Sequence, residues 1–317
     1  MTQTRIRQAL VTGGAGFIGS NVSQLVQQTT GARVIVLDNL SSGFRGNLEG
    51  LPVELIEGDV CDATAVRTAM EGCDTVFHLA ASVGNKRSID HPIRDAEINV
   101  IGTLRVLEAA RHAGVKKVVY SSSAGIFGEL KTLPIREDHP IEPDSPYGST
   151  KLAGEKLCLA YAKLYPLACV CLRYFNVYGV NQRYDAYGNV IPIFAHRVLN
   201  GEPITIFGDG EQTRDFVSVR DVAQANLRAA LAEELSGAFN IASGTRITIN
   251  RLAELVAAAI GRTPVVQHAA PRPGDVRHSL ADISAARDAF GYVPKVDLED
   301  GLREYMEWSR RVFVTAS

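Results

Sequence analysis

A chain of 317 residues with 33 basic and 35 acidic side chains, net charge -2, has no basic field to hold nucleic acid or an anionic membrane surface. This length can bury a full α/β core and still carry a smaller lobe, because single cores stop growing at roughly 250 to 300 residues. Arg, Asp, Glu or Gln breaks every apolar run before about 18 residues, and MTQTRIRQALVTGGAGFIGS has neither the apolar stretch nor the cleavage site of a leader, so a cytoplasmic protein is expected.

Short β-branched runs alternate with helical periods through the first half, the pattern of a parallel sheet covered on both faces. Strands are predicted at 9–12, 33–37, 53–57, 75–79, 117–121 and 168–173, and helices at 17–28, 63–70, 93–112 and 147–164. The last two helices are long for connectors, with apolar residues at helical spacing such as Val100, Leu104 and Leu107. Sheet packing accounts for that face, and a share in a homodimer bundle is the alternative. Past Asn176, Gly, Pro and Asp punctuate shorter elements, with helices predicted near 193–199, 219–233, 249–260, 284–290 and 299–312. The expected fold is a Rossmann-like doubly wound parallel sheet over 1–176, onto which 219–243 packs back, and a smaller α/β lobe made mainly of 177–317.

The first strand runs into Thr12-Gly13-Gly14-Ala15-Gly16-Phe17-Ile18-Gly19, which opens a helix. Gly13 permits the tight turn, Gly16 lets the backbone approach a pyrophosphate and Gly19 allows close helix-strand packing, while the helix N-terminus offers free N–H groups to an anion. A glycine-rich turn alone is as often conformational as functional. Its context here is Asp38, which ends the second strand about 20 residues later, where a carboxylate accepts bonds from ribose hydroxyls and repels a 2′-phosphate. NAD is therefore expected rather than NADP, held by Gly13, Gly16, Phe17, Ile18, Gly19, Asp38 and Asn39. Asp59 and Val60 follow the third strand, where Asp59 either reaches the adenine or caps the next helix; Asp62 is the better cap. The fourth strand ends in His78-Leu79-Ala80-Ala81, and the small residues leave room for a cofactor across the strand ends.

The fifth strand emerges as Ser121-Ser122-Ser123-Ala124, and 24 residues past Ser123 comes Tyr147-Gly148-Ser149-Thr150-Lys151. Tyr147 and Lys151 stand four apart on a helix and so project from one face. Free tyrosine, with a pKa near ~10, is a poor base at neutral pH; a neighbouring ammonium and a cationic nicotinamide both favour the phenolate. Lys151 is thus expected to tune Tyr147 and to hold the cofactor ribose, while Ser123 holds the reacting oxygen close to Tyr147. The five cysteines, 61, 73, 158, 169 and 171, have no paired metal-ligand spacing and read as reduced core thiols, with no metal site expected.

TGGAGFIG, SSSAGIFG, SPYGSTKLAGE, LRYFNVYG and GDGEQTRDFVSVRDVA occur in that order, and with them the chain resembles the extended short-chain dehydrogenase/reductase family over essentially its whole length. Within that family it is most similar to the NAD-dependent nucleotide-sugar 4-epimerases. The resemblance implies Tyr147 as catalytic base, Ser123 as its partner and Lys151 on the ribose. It implies Asn99 and Tyr174 at the cofactor cleft, and Ser122, Asn176, Arg214, Arg272 and Asp275 on a nucleotide-sugar substrate. Two departures stand out: Phe127 replaces a tyrosine, removing a hydroxyl near the site, and the loop Ser82 to Arg87 has no lysine at the point where some relatives use one to hold the nicotinamide ribose.

Dehydratases of the family carry Thr-Asp-Glu where this chain has Ser123-Ala124-Gly125, so water elimination lacks its acid. Epimerisation needs only the pieces present. Ser279, in RHSLAD, falls where the family walls the sugar pocket; a small residue there implies room for a 2-acetamido group, hence UDP-N-acetylglucosamine, with UDP-glucose as a second substrate. The alternatives are a UDP-glucose-only epimerase, a nucleotide-sugar reductase with exchangeable cofactor, and a catalytically silent NAD-binding scaffold.

Overall fold

The structure is a computed structural model, and it describes residues 5–185, 188–271 and 276–313. Its strands are β1 (Gln8–Thr12), β2 (Arg33–Asp38), β3 (Val53–Glu57), β4 (Thr75–His78), β5 (Lys117–Ser123) and β6 (Ala168–Tyr174). Shorter ones follow: β7 (Asn176–Tyr178), β8 (Ile204–Phe207), β9 (Thr213–Arg214), β10 (Phe216–Ser218), β11 (Gly237–Ile241), β12 (Ile247–Thr248) and β13 (Val266–Ala269). Seven of them form one parallel sheet in the order β11-β6-β5-β4-β1-β2-β3. The order reverses between β1 and β4, and in such sheets the ligand crevice lies beyond the strand ends at that point. The expected Rossmann-like fold is the one found.

Strand residues alternate between two apolar layers, so the sheet is buried on both sides. Ala9, Val11, Val34 and Val36 face the layer under α1 (Phe17–Thr30). Leu10, Ile35 and Leu37 face the layer under α2 (Ala63–Met70). The next helices are α3 (Asn85–Asp90), α4 (Pro92–Ala96), α5 (Thr103–Ala113), α6 (Pro146–Leu164), α7 (Val190–Asn200) and α8 (Val219–Leu231). They are followed by α9 (Ile249–Ala258), α10 (Ser284–Phe290) and α11 (Leu298–Phe313). A separate core joins α7, α9 and α11, with Phe194, Leu252, Tyr305 and Trp308 inside. No helix of the described residues is long and apolar enough to cross a membrane.

The single helix expected over 93–112 is instead α4, a π-helical turn over Glu97–Gly102, and α5. A π turn inserts an extra residue into the helical ladder and breaks the 3.6-residue phase, which apolar spacing alone does not register. α6 starts as its sequence dictates. Ser145 caps it by accepting a bond from the Gly148 N–H at 3.1 Å, and Pro146 fills the first position, where its missing N–H costs nothing. The helix then lies close on β5, because at Gly154 a Cβ would collide with the Tyr120 hydroxyl.

Candidate active site

Gly13 sits at φ +68°, and a Cβ there would lie 2.7 Å from the Ala80 nitrogen, so only glycine lets β1 turn against the end of β4. α1 begins at Gly16 with no side-chain cap and no acid in its first turn, which leaves its N–H dipoles open to a diphosphate. Asp38 is buried, and its two oxygens accept the Ala15 N–H at 2.9 Å and the Leu40 N–H at 2.8 Å. An ionised carboxylate has about four acceptor positions, so two remain for a ribose diol. Glycine turn, uncapped helix and anchored acid fit NAD.

Asp59 does not cap α2; Asp62 does, accepting from the Thr64 and Ala65 N–H groups. Asp59 is tied to the Cys61 N–H, the Asn39 amide and Arg94. Burial acts to raise its pKa, but these bonds outweigh it and hold the carboxyl below its ordinary range. Val60 is buried against Gly102, and Leu79 and Ala80 donate to the Thr12 backbone and hydroxyl oxygens. The half-buried Ala81 follows, and Ser82 beyond it is pinned to Asn99.

Asn99, expected at the cofactor cleft, braces the chain that follows β4. It is buried, exchanges bonds with both backbone groups of Ser82 at 2.8 and 3.0 Å, and donates to Asp95 and Thr150. The Tyr174 hydroxyl is bonded to Asn226 of α8 at 3.0 Å, on the side of the sheet under α1. Strand alternation turns Ser122 away from Ser123, and it donates to Glu155 at 2.7 Å. Glu155 is fully buried and holds Arg173 through Nε at 3.1 Å and Nη2 at 2.8 Å. Phe127 lies wholly in the core beneath the Arg173 guanidinium, so no cleft hydroxyl is lost there.

Ser123 ends β5 and Tyr147 opens α6, and both side chains border Gly125, whose N–H donates to the Ser123 hydroxyl at 3.1 Å. Burial raises the Tyr147 pKa above its ordinary value, the nearby Ser123 hydroxyl lowers it and the Asp95 charge raises it. Without cofactor, then, the phenol stays protonated at neutral pH, and the Lys151 ammonium does not by itself make it a base. Lys151 is 2% exposed with its ammonium 4.5 Å from the Tyr120 ring centroid, and burial pulls its pKa down to about 8.

Just past β6, Asn176 donates to the Asp215 carbonyl at 3.0 Å. Arg214 donates to the Thr213 carbonyl at 2.9 Å, and Ser279, 7% exposed, is held by its N–H on the same Thr213 carbonyl at 3.1 Å. Arg272 and Asp275 lie outside the described residues. Sequence reasoning missed a cavity of about 730 Å³, lined by Phe207, Gln212, His268, Pro271 and Arg277 among others. That volume suits a small-molecule ligand, and no residue of the Ser123–Tyr147 pair lines it. It adjoins Arg214 and Ser279 through the Thr213 N–H bond to the Arg277 carbonyl. Asp95, Thr150, Glu155 and Asp215 were missed as well; Glu155, four residues past Lys151 on one helix face, was the one with a usable signal.

Residues 9–242 match the model of the NAD dependent epimerase/dehydratase family. The chain belongs to that family. It is an NAD-dependent epimerase, with NAD as its cofactor, and the family resemblance of its motifs is met. UDP-glucose 4-epimerase of Mycolicibacterium smegmatis is 40% identical over 310 residues, spanning 96% of this chain and 98% of the relative. UDP-N-acetylglucosamine 4-epimerase from Methanobrevibacter ruminantium, solved in complex with UDP-N-acetylmuramic acid, superposes with a TM-score of 0.91 at 36% identity, covering 99% of this chain and 100% of that one. UDP-glucose 4-epimerase of Thermus thermophilus, solved with NAD, gives 0.86 at 39% identity, covering 96% and 99%.

Proposed function

We propose that this NAD-dependent nucleotide-sugar epimerase interconverts UDP-N-acetylglucosamine and UDP-N-acetylgalactosamine at C4, with UDP-glucose as a lesser substrate. The observation that carries the sugar assignment is Ser279, a small side chain fixed by its backbone beside Arg214 and the second-lobe cavity. In this reading the cavity takes the base and ribose. Arg214, with Arg272 and Asp275, grips the diphosphate and its ribose, and Asn176 lies along the same path. Gly13, Gly16, Phe17, Ile18, Gly19, Asp38, Asn39 and Asp59 hold NAD.

Tyr147 takes the proton of the C4 hydroxyl while Ser123, whose side chain borders Gly125 together with the Tyr147 ring, holds that oxygen in line. Lys151 supplies the buried positive charge that favours the phenolate as it forms and reaches the cofactor ribose. Bound NAD would supply a reversible hydride acceptor at C4, so that no outside redox partner would be consumed. Cytoplasmic location and a homodimer belong to the same reading. All five cysteines are free, which supports the first. Ile93 is 74% and Leu164 70% exposed near the ends of the helical segments 93–112 and 147–164, which supports the second.

The test is to incubate the purified protein with UDP-N-acetylglucosamine and with UDP-glucose, without added cofactor, and to separate the epimers. Conversion of both, faster for the acetamido sugar, is expected. Ser279→Tyr should suppress the acetamido reaction while sparing the plain hexose. Equal loss of both would remove the gatekeeper role, and no conversion by the wild type would end the epimerase assignment for these sugars.

A further inference from the structure

Asp95 lies at the C-terminal end of α4, is 1% exposed, and enters neither an ion pair among the described residues nor the machinery described above. Its Oδ2 accepts the Thr150 hydroxyl at 2.5 Å and the Asn99 amide at 3.2 Å, whereas Oδ1 is buried with no hydrogen-bond partner among the described residues. Thr150 stands between Tyr147 and Lys151 on α6, so this bond fixes the carboxylate against the helix that carries both.

The other groups around the pair are each neutral or matched. From β4, His78 is an uncharged imidazole. The Thr103 hydroxyl spends its proton on the Asn99 carbonyl, so Nε2 of His78 must donate to Thr103 and Nδ1 must accept from Thr12. Burial, then the Lys151 charge, holds the pKa of His78 at about 3. From β5 comes the neutral phenol of Tyr120, under the Lys151 ammonium. Glu155, on α6 itself, is matched by Arg173 from β6, and burial keeps the Cys171 thiol of β6 protonated. Among the described residues, Asp95 and Lys151 are thus the two charges of the pocket that lack a counter-ion within 4 Å.

We propose that Asp95 is a positioning residue for the reaction, the fixed counter-charge that keeps Lys151 an ammonium in its buried slot and sets the pH at which Tyr147 becomes a base. Isolated buried charges are expensive, and a carboxylate fixed nearby offsets that cost for Lys151. The same negative field opposes the phenolate, so Tyr147 stays protonated until substrate and cofactor complete the site. The arrangement trades base strength at rest for a lysine that is charged when needed.

This inference rests on Tyr147 being the base in the proposed epimerase. Its test follows the UDP-sugar-driven reduction of enzyme-bound NAD against pH in holoenzyme, with NAD content measured separately. Asp95→Asn keeps an acceptor for Thr150 and removes only the charge, so both limbs of the profile should move to lower pH, by about one unit. Thr150→Val, which loses the bond and keeps the charge, should lower the rate with the limbs in place. Limbs unmoved in Asp95→Asn, or moved alike in both variants, would overturn the proposal. Should Asp95→Asn not fold, Asp95→Ser reads the same shift, and failure of both to fold or to hold NAD would make the carboxylate merely structural and equally overturn it. A wild type that never reduces its NAD would fail the epimerase reading instead.

Discussion

Replacing Glu155 by Gln tests whether α6 is held in register by a buried ion pair. Glu155 is 0% and Arg173 4% exposed, and the carboxylate takes two bonds from the guanidinium and one from Ser122. The glutamine amide presents one oxygen and one NH2, so whichever way it turns, one Arg173 donor faces a donor. Ser122 can reverse its hydroxyl, but Arg173 cannot. The arginine keeps one bond to the amide oxygen, the Glu137 carbonyl at 2.9 Å and the face of Phe127, and loses its counter-charge. Removing one partner of a buried pair costs about 3 to 5 kcal/mol, chiefly because the survivor remains buried and charged. Denaturant unfolding of the NAD-loaded protein, at constant slope, measures the loss. Glu54→Gln, in the exposed pair with Arg33, is the internal standard and should cost at most about 1 kcal/mol. If Glu155→Gln costs no more than Glu54→Gln, the pair does not anchor the helix. The double variant Glu155→Leu/Arg173→Leu should recover much of the loss, since neither charge is then stranded.

Two further outcomes follow from the structure. The segment 179–185 crosses from the second lobe to the nucleotide loop: Asn181 donates to Ser20, Asn21 to the Val180 carbonyl, and the Arg183 guanidinium sits 3.9 Å from the Phe44 ring centroid. Phe44 in turn is bonded by its N–H to the Ala15 carbonyl. Arg183→Ala removes a cation–π contact of about 1 to 2 kcal/mol, so NAD should leave roughly 5 to 30 times faster, read as cofactor retained after dialysis; unchanged retention would detach the strap from cofactor binding. Burial lowers Lys151 and Lys117 to about 8, well below their unfolded value, so the unfolded chain binds more protons above that pH. Their contribution to stability is lost as pH falls through about 8 and recovered as pH rises above it, and Lys117→Met or Lys151→Met should each flatten the rise in denaturation midpoint between about pH 8 and 9.5.

What the sequence made legible is what repeats or what sits at fixed offsets. Val11 and Leu10 announce opposite faces of a strand by alternation, and the Tyr147–Lys151 spacing places both on one helical face whatever the surroundings. Three consecutive serines carry no such mark, so which of Ser122 and Ser123 faces α6's tyrosine depends on where β5 meets the sheet. The break in the helix expected over 93–112 was missed because a π turn changes the phase of a helix without changing its composition. Asp95 and Glu155 were missed because a buried carboxylate looks like a solvated one until its partners are brought from other elements.

Asp215, fully buried, accepts the backbone N–H groups of Ser243, Gly244 and Ala281 and the Ser243 hydroxyl, although burial raises its pKa. Together with the Ser279 N–H bond to Thr213, it fixes the path of residues 279–281 through their main-chain N–H groups. The side chain at 279 contributes nothing to that path. With Ser279 as the proposed gatekeeper, a lineage could exchange this residue and trade one sugar for another while the fold and the cofactor site stay as they were; on that reading the position is a free variable that selection can turn without disturbing the rest of the machine.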